Sequence, residues 1–515
     1  MRFQKNIGFI SLMFAAVGGI VGSGWLFGPF YAAQLAGPAA ILSWCIGGCL
    51  MTVIALTFAE LATLFPVAGG TVRFTQFSHG TLTSFTMAWI SWLAAVIVAP
   101  IETMAMLQYA ANYFPALAHS VHHTINLTPI GILVAAGLML IMCCLNILGV
   151  KFFAKTNNVI VSWKLLIPVV TAIALFSHHF NFHHFTEFGG FMPYGIKGML
   201  KALPAAGVIF SFIGYSPAIQ LAAEAKNPHR AIPFAILIAI GFCMLLYMSI
   251  QTAFIGAVST TSLLKGWMNM HFAGEAGPIA GIITGLGLFW FAKLLYLDAI
   301  ISPVGTAYIY TASTARVNYA MSENGYMPHI MQKLNPHGSP MIAVMTNFCV
   351  GMIFFLPFPG WQTMVSFLVS CFVIAYAVGP IACLSLRYKM PNARRSFRLP
   401  AAKCICLLAF YICNLIIYWT TWQTVWRMLV TISMGYIFLI IYRLIVKENK
   451  FKLDFLKAVW LFPYFIGLGT ISYFGSFGGH NVIKFGWDFL VLAVFSFIIF
   501  VWAVRASQPH SLIKE

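Results

Sequence analysis

Among the ionisable side chains within apolar stretches of this sequence, three are candidates for chemistry: Glu102, Lys164 and Asp298. A lysine at the centre of a bilayer costs about 2.5–3.5 kcal/mol on insertion scales, so we expect it to have a compensating role. Lys164 has no charged neighbour in the segment NNVIVSWKLLIPVV, and removal from water favours its neutral amine. Lys164 is therefore our candidate for binding and releasing a proton. The structural alternative is a fixed ammonium that caps backbone carbonyls freed by a break in another helix.

The two carboxylates are auxiliary candidates. Glu102 follows Pro100 by two residues, and Asp298 lies five residues after Lys293. An acidic side chain in apolar surroundings either takes part in function or is neutralised by a partner. Asp298 and Lys293 could pair with each other or with Glu102, so both a functional role and a buried structural pair remain open.

Two apolar segments are interrupted where a continuous helix would be expected. The first break reads GGIVGSGW at 18–25 and the second reads SFIGYSPA at 211–218. Glycine within a helix costs roughly 1 kcal/mol relative to alanine, and proline costs about 3 kcal/mol. Inside a membrane, freed backbone groups are tolerated only where they are buried in protein or line a wet cavity. Such a pair of breaks in corresponding positions of two halves indicates the binding site of a secondary transporter.

The backbone of these breaks can recognise both signs of charge. Amides at the start of a half-helix favour an anion, and carbonyls at the end of the preceding half-helix suit a cation. A zwitterionic α-amino acid carries both charges, so the break at 18–25 fits its backbone. In the second break, Gly214 and Pro217 free the preceding carbonyls. Phe210 and Phe212 are candidates for an aromatic lid, and a close-packed stripe of small residues is the alternative for 18–25.

The elements that carry these residues are membrane helices. The chain has 515 residues, of which 61% are hydrophobic and 8% charged, and its mean hydropathy is +0.88. No soluble domain keeps so few charges, and continuous apolar runs exclude a β-barrel. We therefore predict an all-α integral membrane protein with about fourteen transmembrane segments, at 8–35, 38–65, 82–111, 128–149, 156–176, 199–223, 231–257, 279–317, 340–358, 362–386, 402–422, 424–446, 456–474 and 484–505.

The net charge of +18 lies mainly on one side of the predicted membrane. With the N-terminus in the cytoplasm, 22 of the 29 lysines and arginines are cytoplasmic and 5 lie on the opposite side. This asymmetry predicts a multi-pass inner-membrane protein with both termini in the cytoplasm. The excess charge then faces anionic lipid headgroups, and we expect no nucleic-acid partner. The eleven cysteines show no ligand spacing, so neither a metal nor a cofactor is predicted.

The two breaks fall in the first and sixth segments, which places five helices in each half. Because each half has an odd number of helices, the second half has the opposite orientation in the membrane. This is the inverted-repeat arrangement of many secondary transporters. We expect a first repeat at 1–176, a second at 199–386 and additional C-terminal helices at 402–505. The basic stretch at 387–403 marks the last boundary.

Several motifs in this order resemble the amino acid–polyamine–organocation superfamily of permeases. Besides the two breaks, they are AELATLFPVAGGTVRF at 59–74, EAKNPHRAIP at 224–233 and the run from YTASTAR to SENGYMP at 310–328. The resemblance implies the leucine-transporter fold, which is a five-plus-five inverted repeat with discontinuous helices 1 and 6, and transport by alternating access. The chain also looks similar to the proton-coupled bacterial branch of the superfamily.

The resemblance assigns substrate binding to Ile20, Gly22, Ser23 and Gly24 in the first break and to Phe210, Ser211, Ile213 and Gly214 in the second. Amides and the hydroxyl of the first break would bind the substrate carboxylate, whereas Ile20 and Ile213 would offer carbonyls to its ammonium. Phe210 matches the gating aromatic. Lys164 would replace the cation that bridges helices 1, 5 and 8 in sodium-coupled relatives. Ser216 stands where some exchangers of the family have a glutamate in helix 6.

We therefore predict a secondary active transporter, a proton-coupled amino acid symporter and not an enzyme. An amino acid exchanger of the same fold is the alternative. A membrane-embedded enzyme is disfavoured because the sequence has no HExxH, GxSxG or nucleotide-binding loop. A channel is disfavoured because the two breaks predict one central site in each chain. The expected lining is small, apolar and aromatic, which leaves the transported amino acid open.

Overall fold

The computed structural model describes residues 8–65, 70–121, 124–148, 150–178, 180–216, 219, 225–336, 338–358, 360–445 and 454–507. Within these ranges the chain is almost entirely helical, and its sheet is one antiparallel hairpin of β1 (Ala118–Val121) and β2 (Thr124–Leu127), with Ala118 opposite Leu127. The helices are α1 (Phe9–Ile20), α2 (Gly24–Ala36), α3 (Ala40–Leu64), α4 (Gly70–His79), α5 (Thr81–Val96), α6 (Val98–Ala110), α7 (Pro129–Leu148), α8 (Val150–Ser177), α9 (Gly195–Ala205), α10 (Phe210–Ile213), α11 (Pro228–Ala257), α12 (Thr260–Leu263), α13 (Pro278–Gly285), α14 (Phe289–Glu323), α15 (Met341–Ile353), α16 (Trp361–Lys389), α17 (Ala402–Trp419), α18 (Trp422–Ile445), α19 (Phe455–Ala458), α20 (Leu461–Phe474) and α21 (Trp487–Ala506). Short 3-10 helices lie at Gly37–Ala39, Pro115–Leu117, Phe182–Phe185, Trp267–Asn269 and His329–Gln332.

Ten stretches of the described helices are long and apolar enough to cross a bilayer, and α1 and α15 are shorter apolar helices. The stretch formed by α5 and α6 is almost entirely buried, as is α16, whereas α18 and α21 expose most of their apolar surface. Apolar side chains exposed at this density fit a lipid environment rather than water. The chain is an all-α integral membrane protein, as predicted, while the number of fourteen crossings stays a prediction.

The first break is present but narrower than its run of glycines suggests. Gly18 and Gly19 remain helical in α1, and only 21–23 leave the helical path before α2 begins. Val21 is extended, with φ −81° and ψ 96°. The side chain of Ser23, the N-cap residue of α2, makes no capping hydrogen bond, so the amides at this helix start are free to bond groups from other helices.

The second break begins earlier than predicted. α9 ends at Ala205, and Gly207 takes a left-handed conformation with φ 82° before the single turn of α10. Glycine commonly ends helices in this way because it has no Cβ to clash. The predicted interruption at 211–218 therefore covers only the second part of the break, at Gly214. Pro217, which the sequence interpretation also used, lies outside the described residues.

The backbones of the two breaks touch each other. A Cβ added to Gly214 would collide with the Gly19 carbonyl and the Ile20 amide, so only glycine permits this approach. Gly24 lies equally close to the side chain of Ser211. Two interruptions that are far apart in sequence therefore form one locus in the centre of the bundle.

Two other predicted segments are also divided. The segment at 82–111 becomes α5 and α6, because Pro100 has no amide to donate the hydrogen bond that would continue the helix. The segment at 279–317 was wrongly predicted to be one helix. It is split into α13 and α14 by a turn in which Gly287 has φ 80°. α14 crosses the centre of the bundle and packs against α6, α5 and α8.

The additional helices predicted at 402–505 correspond to α17 through α21 and cover one flank of the bundle. α17 packs against α16, α3 and α21, and α18 packs against α16, α20 and α5. His79 at the end of α4 donates from Nε2 to the Ala503 carbonyl of α21 at 3.0 Å. Burial lowers the pKa of His79 to about 4, so this imidazole is neutral at neutral pH. The added helices therefore support the core from outside the central cavity.

Candidate functional site

The first break holds the buried carboxylate of Glu102, which α6 supplies. The Ser23 amide donates to Glu102 Oε2 at 3.0 Å and to Oε1 at 3.4 Å. The start of a helix favours an anion because its first amides have no partner within the helix. In this structure the anion at the start of α2 is a side chain of the protein itself.

Lys164 of α8 connects the end of α1 to the middle of α14. Its ammonium donates to the Gly18 carbonyl at 2.9 Å and to Thr306 Oγ1 at 2.6 Å. The Lys164 side chain is buried, with 1% exposure. This position between three helices is the one that the family resemblance implies. The contact with Gly18 also suits the structural alternative of a capping ammonium, so the role of Lys164 in proton coupling stays a prediction.

A cavity of about 270 Å³ lies where the two breaks meet. The lining is mostly apolar and aromatic, as expected from the sequence, with three polar side chains. It consists of Gly19, Ile20, Gly22, Val98, Glu102, Phe210, Ile213, Gly214, Thr306, Tyr310, Leu368 and Phe372.

Most of the predicted substrate-binding residues surround this cavity. Those in its lining are Ile20, Gly22, Phe210, Ile213 and Gly214, while Ser23, Gly24 and Ser211 are adjacent to lining residues but not among them. The Ser23 hydroxyl accepts a hydrogen bond from the Trp361 indole at 2.9 Å. The Ser211 hydroxyl donates to the Gly207 carbonyl at 2.9 Å, within its own break. Both serine hydroxyls therefore have partners inside the protein.

The two carbonyls predicted to receive an ammonium each accept one hydrogen bond already. Tyr247 donates its hydroxyl to the Ile20 carbonyl at 3.2 Å, and Tyr376 donates to the Ile213 carbonyl at 3.2 Å. A carbonyl oxygen has two lone pairs, so each can accept a second donor. The tyrosines hold these carbonyls in position without exhausting them.

Aromatic rings close one side of the cavity. Phe210 meets Trp361 edge to face, with ring centroids 5.9 Å apart. Trp361 in turn stacks on Phe27 at 5.0 Å and on Tyr31 at 5.8 Å. Phe210 is therefore placed as a lid residue would be. The same expectation for Phe212 was wrong, because its fully buried ring lies in the core and outside the cavity lining.

Asp298 is separate from the cavity and bonds to neighbours of Lys164 rather than to a charged partner. Its Oδ1 accepts from the Trp163 indole at 2.8 Å and from the Ser302 hydroxyl at 2.7 Å. The pairing with Lys293 that the sequence left open is not formed, because Lys293 is exposed whereas Asp298 is fully buried. Asp298 and Glu102 share no hydrogen bond among the described residues, so the structure does not bring the two auxiliary candidates together.

Sequence reasoning missed several residues of the cavity and its wall. They are Gly19, Val98, Thr306, Tyr310, Trp361, Leu368 and Phe372. A signal for two of them exists, since Thr306 and Tyr310 continue a stripe that begins with Asp298 and Ser302 at intervals of four residues on one helix face. No comparable signal marks Leu368 and Phe372, because α16 is apolar and buried on every face.

A second buried carboxylate lies away from the cavity, at the end of α3. Glu60 Oε1 accepts from Arg387 Nε at 2.8 Å and lies 3.3 Å from Arg395 Nε. Glu60 Oε2 accepts from the Leu399 amide at 2.8 Å. Glu60 is therefore a packing contact between α3, α16 and the segment after it.

The apolar helices and the cavity between two interrupted helices define the class of protein, a membrane transporter. The chain belongs to the amino acid permease family, whose model matches residues 7–441. It is 36% identical over 520 residues to the glutamate/serine transporter AimA of Bacillus subtilis (strain 168), covering 100% of this chain and 96% of that protein. It is 33% identical over 518 residues to the aspartate-proton symporter of the same organism, covering 99% and 98%.

A more distant relative shows the chemical range of the family. The branched-chain amino acid permease BcaP of Bacillus subtilis (strain 168) is 25% identical over 451 residues, covering 85% of this chain and 93% of that protein. The prediction of a permease of this superfamily is thereby confirmed. The chain is an integral-membrane amino acid transporter and not an enzyme.

Proposed function

We propose that the protein is a proton-coupled amino acid symporter that works by alternating access. The observation that carries this proposal is the buried ammonium of Lys164, which bonds the last turn of α1 and the side chain of Thr306 beside the cavity. A group so placed can couple its own protonation to the packing of α1 against α14. The relative named an aspartate-proton symporter supports the same conclusion.

In this proposal the two breaks hold the backbone of the substrate amino acid. The amides around Gly22, Ser23 and Gly24 bind the carboxylate, because the start of α2 favours an anion. The carbonyls of Ile20 and Ile213 bind the ammonium with their remaining lone pairs. The side chain then points towards Val98, Leu368 and Phe372, three apolar members of the lining that set its size.

Alternating access follows from the state of Lys164. While it is charged, its two hydrogen bonds hold α1 against α14. Loss of the proton removes a charge-assisted donor and weakens this contact, so the first break can move relative to α14. We assign the moving parts to two inverted repeats, 1–176 and 199–386, because each contains one of the breaks that meet at the cavity.

We place both termini in the cytoplasm and the chain in the inner membrane, since this orientation gives the cytoplasmic side most of the basic residues. The segment between α16 and α17 then lies at the cytoplasmic surface. Its exposed residues Arg394 and Arg398, with Lys403 at the start of α17, can meet anionic lipid headgroups there.

The relatives guide the choice of substrates to test. They are named for glutamate, serine and aspartate, so these three amino acids are the first candidates.

Uptake into proteoliposomes tests the proposal. We expect labelled serine, glutamate or aspartate to accumulate when the outside is made acidic, without any requirement for sodium. Lys164→Ala should abolish accumulation driven by the proton gradient, while Lys293→Ala, which removes an exposed lysine of α14, should leave it unchanged. Uptake that requires sodium and ignores the proton gradient would refute the proposal, as would normal accumulation by Lys164→Ala.

A further inference from the structure

The carboxylate of Glu102 occupies the position that the proposed function gives to the carboxylate of the substrate. Glu102 is fully buried and lines the cavity, and it accepts hydrogen bonds from the Ser23 amide with both oxygens. Among the described residues, Ser23 supplies its hydrogen bonds. The main anion-binding group of the first break is therefore in use before any substrate arrives.

We propose that Glu102 is an internal substitute for the substrate carboxylate, which an incoming amino acid displaces, and that the displaced Glu102 takes up one proton. The inference rests on the proposed function and deepens it, because it links binding of the substrate to binding of a proton at a single residue. The group recognised is the α-carboxylate that all amino acid substrates share.

Glu102 and a substrate carboxylate cannot share the first break. The Ser23 amide has one hydrogen and is already shared between the two oxygens of Glu102. The surroundings are also too tight for a second anion, since a Cβ added to Gly22 would lie 2.7 Å from Glu102 Oε1 and 3.0 Å from Thr306 Oγ1. Two carboxylates bound at the same helix start would also repel each other strongly, because little water is present to screen their charges. Binding of one therefore requires departure of the other.

The displaced carboxylate has few places to go while charged. Apart from the hydroxyls of Thr306 and Tyr310, the other lining side chains, such as Val98 and Leu368, offer no hydrogen-bond donor. An ionised carboxylate without partners in such surroundings is costly, and the group becomes neutral instead. A proton from solution then forms an O–H bond with Glu102, and it leaves again when the substrate is released and Glu102 returns to the Ser23 amide.

The other titratable groups that face Glu102 do not neutralise the displaced carboxylate in place of this proton. The helices packed around α6 contribute Lys164 from α8, Asp298 and Tyr310 from α14, and Tyr247 from α11. Lys164 donates to two other acceptors, and Tyr247 donates to a backbone carbonyl. Asp298 accepts from Trp163 and Ser302, and as a second carboxylate it disfavours a further negative charge. In the competing outcome, Glu102 stays charged and moves to pair with the ammonium of Lys164. The protein then takes up no proton when the substrate binds.

Calorimetry of the purified protein distinguishes these outcomes. Binding of L-serine, L-glutamate and L-aspartate is measured in two buffers with different ionisation enthalpies, so that the difference gives the number of protons taken up. For the wild type we expect close to one proton per amino acid at a pH where free Glu102 is ionised. The apparent affinity should fall about tenfold for each unit of pH above that point, because protons and substrate bind together.

Glu102→Gln is the decisive variant, because an amide resembles a carboxylic acid that keeps its proton. We expect its binding to lack this proton uptake and to be independent of pH, with an affinity at least equal to that of the wild type at low pH. Glu323→Gln, which changes a partly exposed carboxylate at the end of α14, is the control and should behave like the wild type. Proton uptake that persists in Glu102→Gln would overturn the inference, as would binding to the wild type without any proton uptake.

Infrared difference spectroscopy gives a second measurement if Glu102→Gln does not fold. Addition of substrate to the wild type should produce the stretching band of a newly protonated carboxyl group, and absence of this band contradicts the inference. A different result bears on the proposed function itself. If the wild type binds none of the common amino acids, the assignment of the cavity fails, whereas binding without protonation leaves the cavity standing and removes only the role of Glu102.

Discussion

Two buried glutamates of this protein have almost the same exposure and opposite surroundings. Glu60 is 1% exposed and receives two arginines and a backbone amide, so both oxygens are bonded and its charge is balanced. Glu102 is fully buried, and among the described residues its hydrogen bonds come from one neutral residue, Ser23. Burial alone therefore does not show what a carboxylate does, and the number and type of its donors separate the two cases.

The difference concerns how easily each carboxylate can leave its position. A buried carboxylate with matched cations and hydrogen bonds is held firmly, because removal of either partner leaves an uncompensated charge. A carboxylate held by one neutral residue can be exchanged for another anion that satisfies the same donors. Glu60 is suited to fix one helix against another, and Glu102 is suited to be replaced by a ligand.

The two glutamates also join different kinds of element. Glu60 connects α3 to α16 and to Leu399 in the segment that follows, so it joins continuous helices to a loop. Glu102 connects α6 to the start of α2, at an interruption of the chain. A transporter that changes its accessible side needs rigid units and a small number of positions that switch between them. The comparison assigns the first role to Glu60 and the second to Glu102.

The largest predicted effect is a difference in stability between two matched variants. Glu60→Gln leaves Arg387 and Arg395 without their shared anion, and we expect a loss of about 3–5 kcal/mol in the free energy of unfolding. Glu102→Gln keeps an acceptor for the Ser23 amide, and we expect a change below about 1 kcal/mol. Thermal unfolding of the purified variants in detergent measures both.

Glu323→Gln is the control for loss of a carboxylate at a partly exposed ion pair with Arg73, and it should cost less than about 1 kcal/mol. Equal destabilisation by Glu60→Gln and Glu102→Gln would remove the distinction between a fixed and an exchangeable carboxylate.

The features of this comparison that depend on the local sequence could be predicted without a structure. Glycine and proline costs located both breaks, and the expense of a charge in an apolar segment singled out Lys164 and Glu102. These features are visible without tertiary structure because each departs from what its own segment would otherwise contain.

The remaining features depend on contacts between distant segments, which no local pattern encodes. The bond from Trp361 to Ser23 joins residues that are 338 positions apart, and the bond from Ser23 to Glu102 spans 79 positions. The sequence therefore indicated free amides at Ser23 and could not show that Glu102 already uses one of them. The early start of the second break depends on the left-handed conformation of a single glycine, Gly207, and no local pattern distinguishes this residue from a glycine inside a helix.

The prediction of intermediate size concerns Lys164. Its ammonium has two hydrogen-bond acceptors and no paired carboxylate, so we expect it to be held less firmly than Glu60 and more firmly than Glu102. Thr306→Val removes the acceptor at 2.6 Å and leaves the Gly18 carbonyl. Loss of a hydrogen bond to a charged group costs about 1.5–3 kcal/mol, and we expect that reduction in the free energy of unfolding. Uptake driven by the proton gradient should decrease as well.

Thr306→Ser keeps the hydroxyl and should restore both stability and uptake. If Thr306→Val were as stable as the wild type, the ammonium would have found another acceptor, and Lys164 would resemble Glu102 in having an exchangeable partner rather than a fixed one.

The smallest predicted effect concerns Ser23, the residue that donates its amide to Glu102. Trp361→Phe removes the indole donor to the Ser23 hydroxyl but keeps a ring that can stack on Phe27. Side-chain hydrogen bonds between membrane helices average about 0.6 kcal/mol, so we expect a loss of roughly threefold in substrate affinity. Trp487→Phe, which changes an exposed indole, should have no effect on calorimetric binding. Since the Ser23 amide, which donates to both oxygens of Glu102, is unchanged by this substitution, the number of protons taken up per substrate should be unchanged in Trp361→Phe. A change in that number would mean that Trp361 positions the amide as well, and the exchange at Ser23 would then depend on α16 in addition to α6.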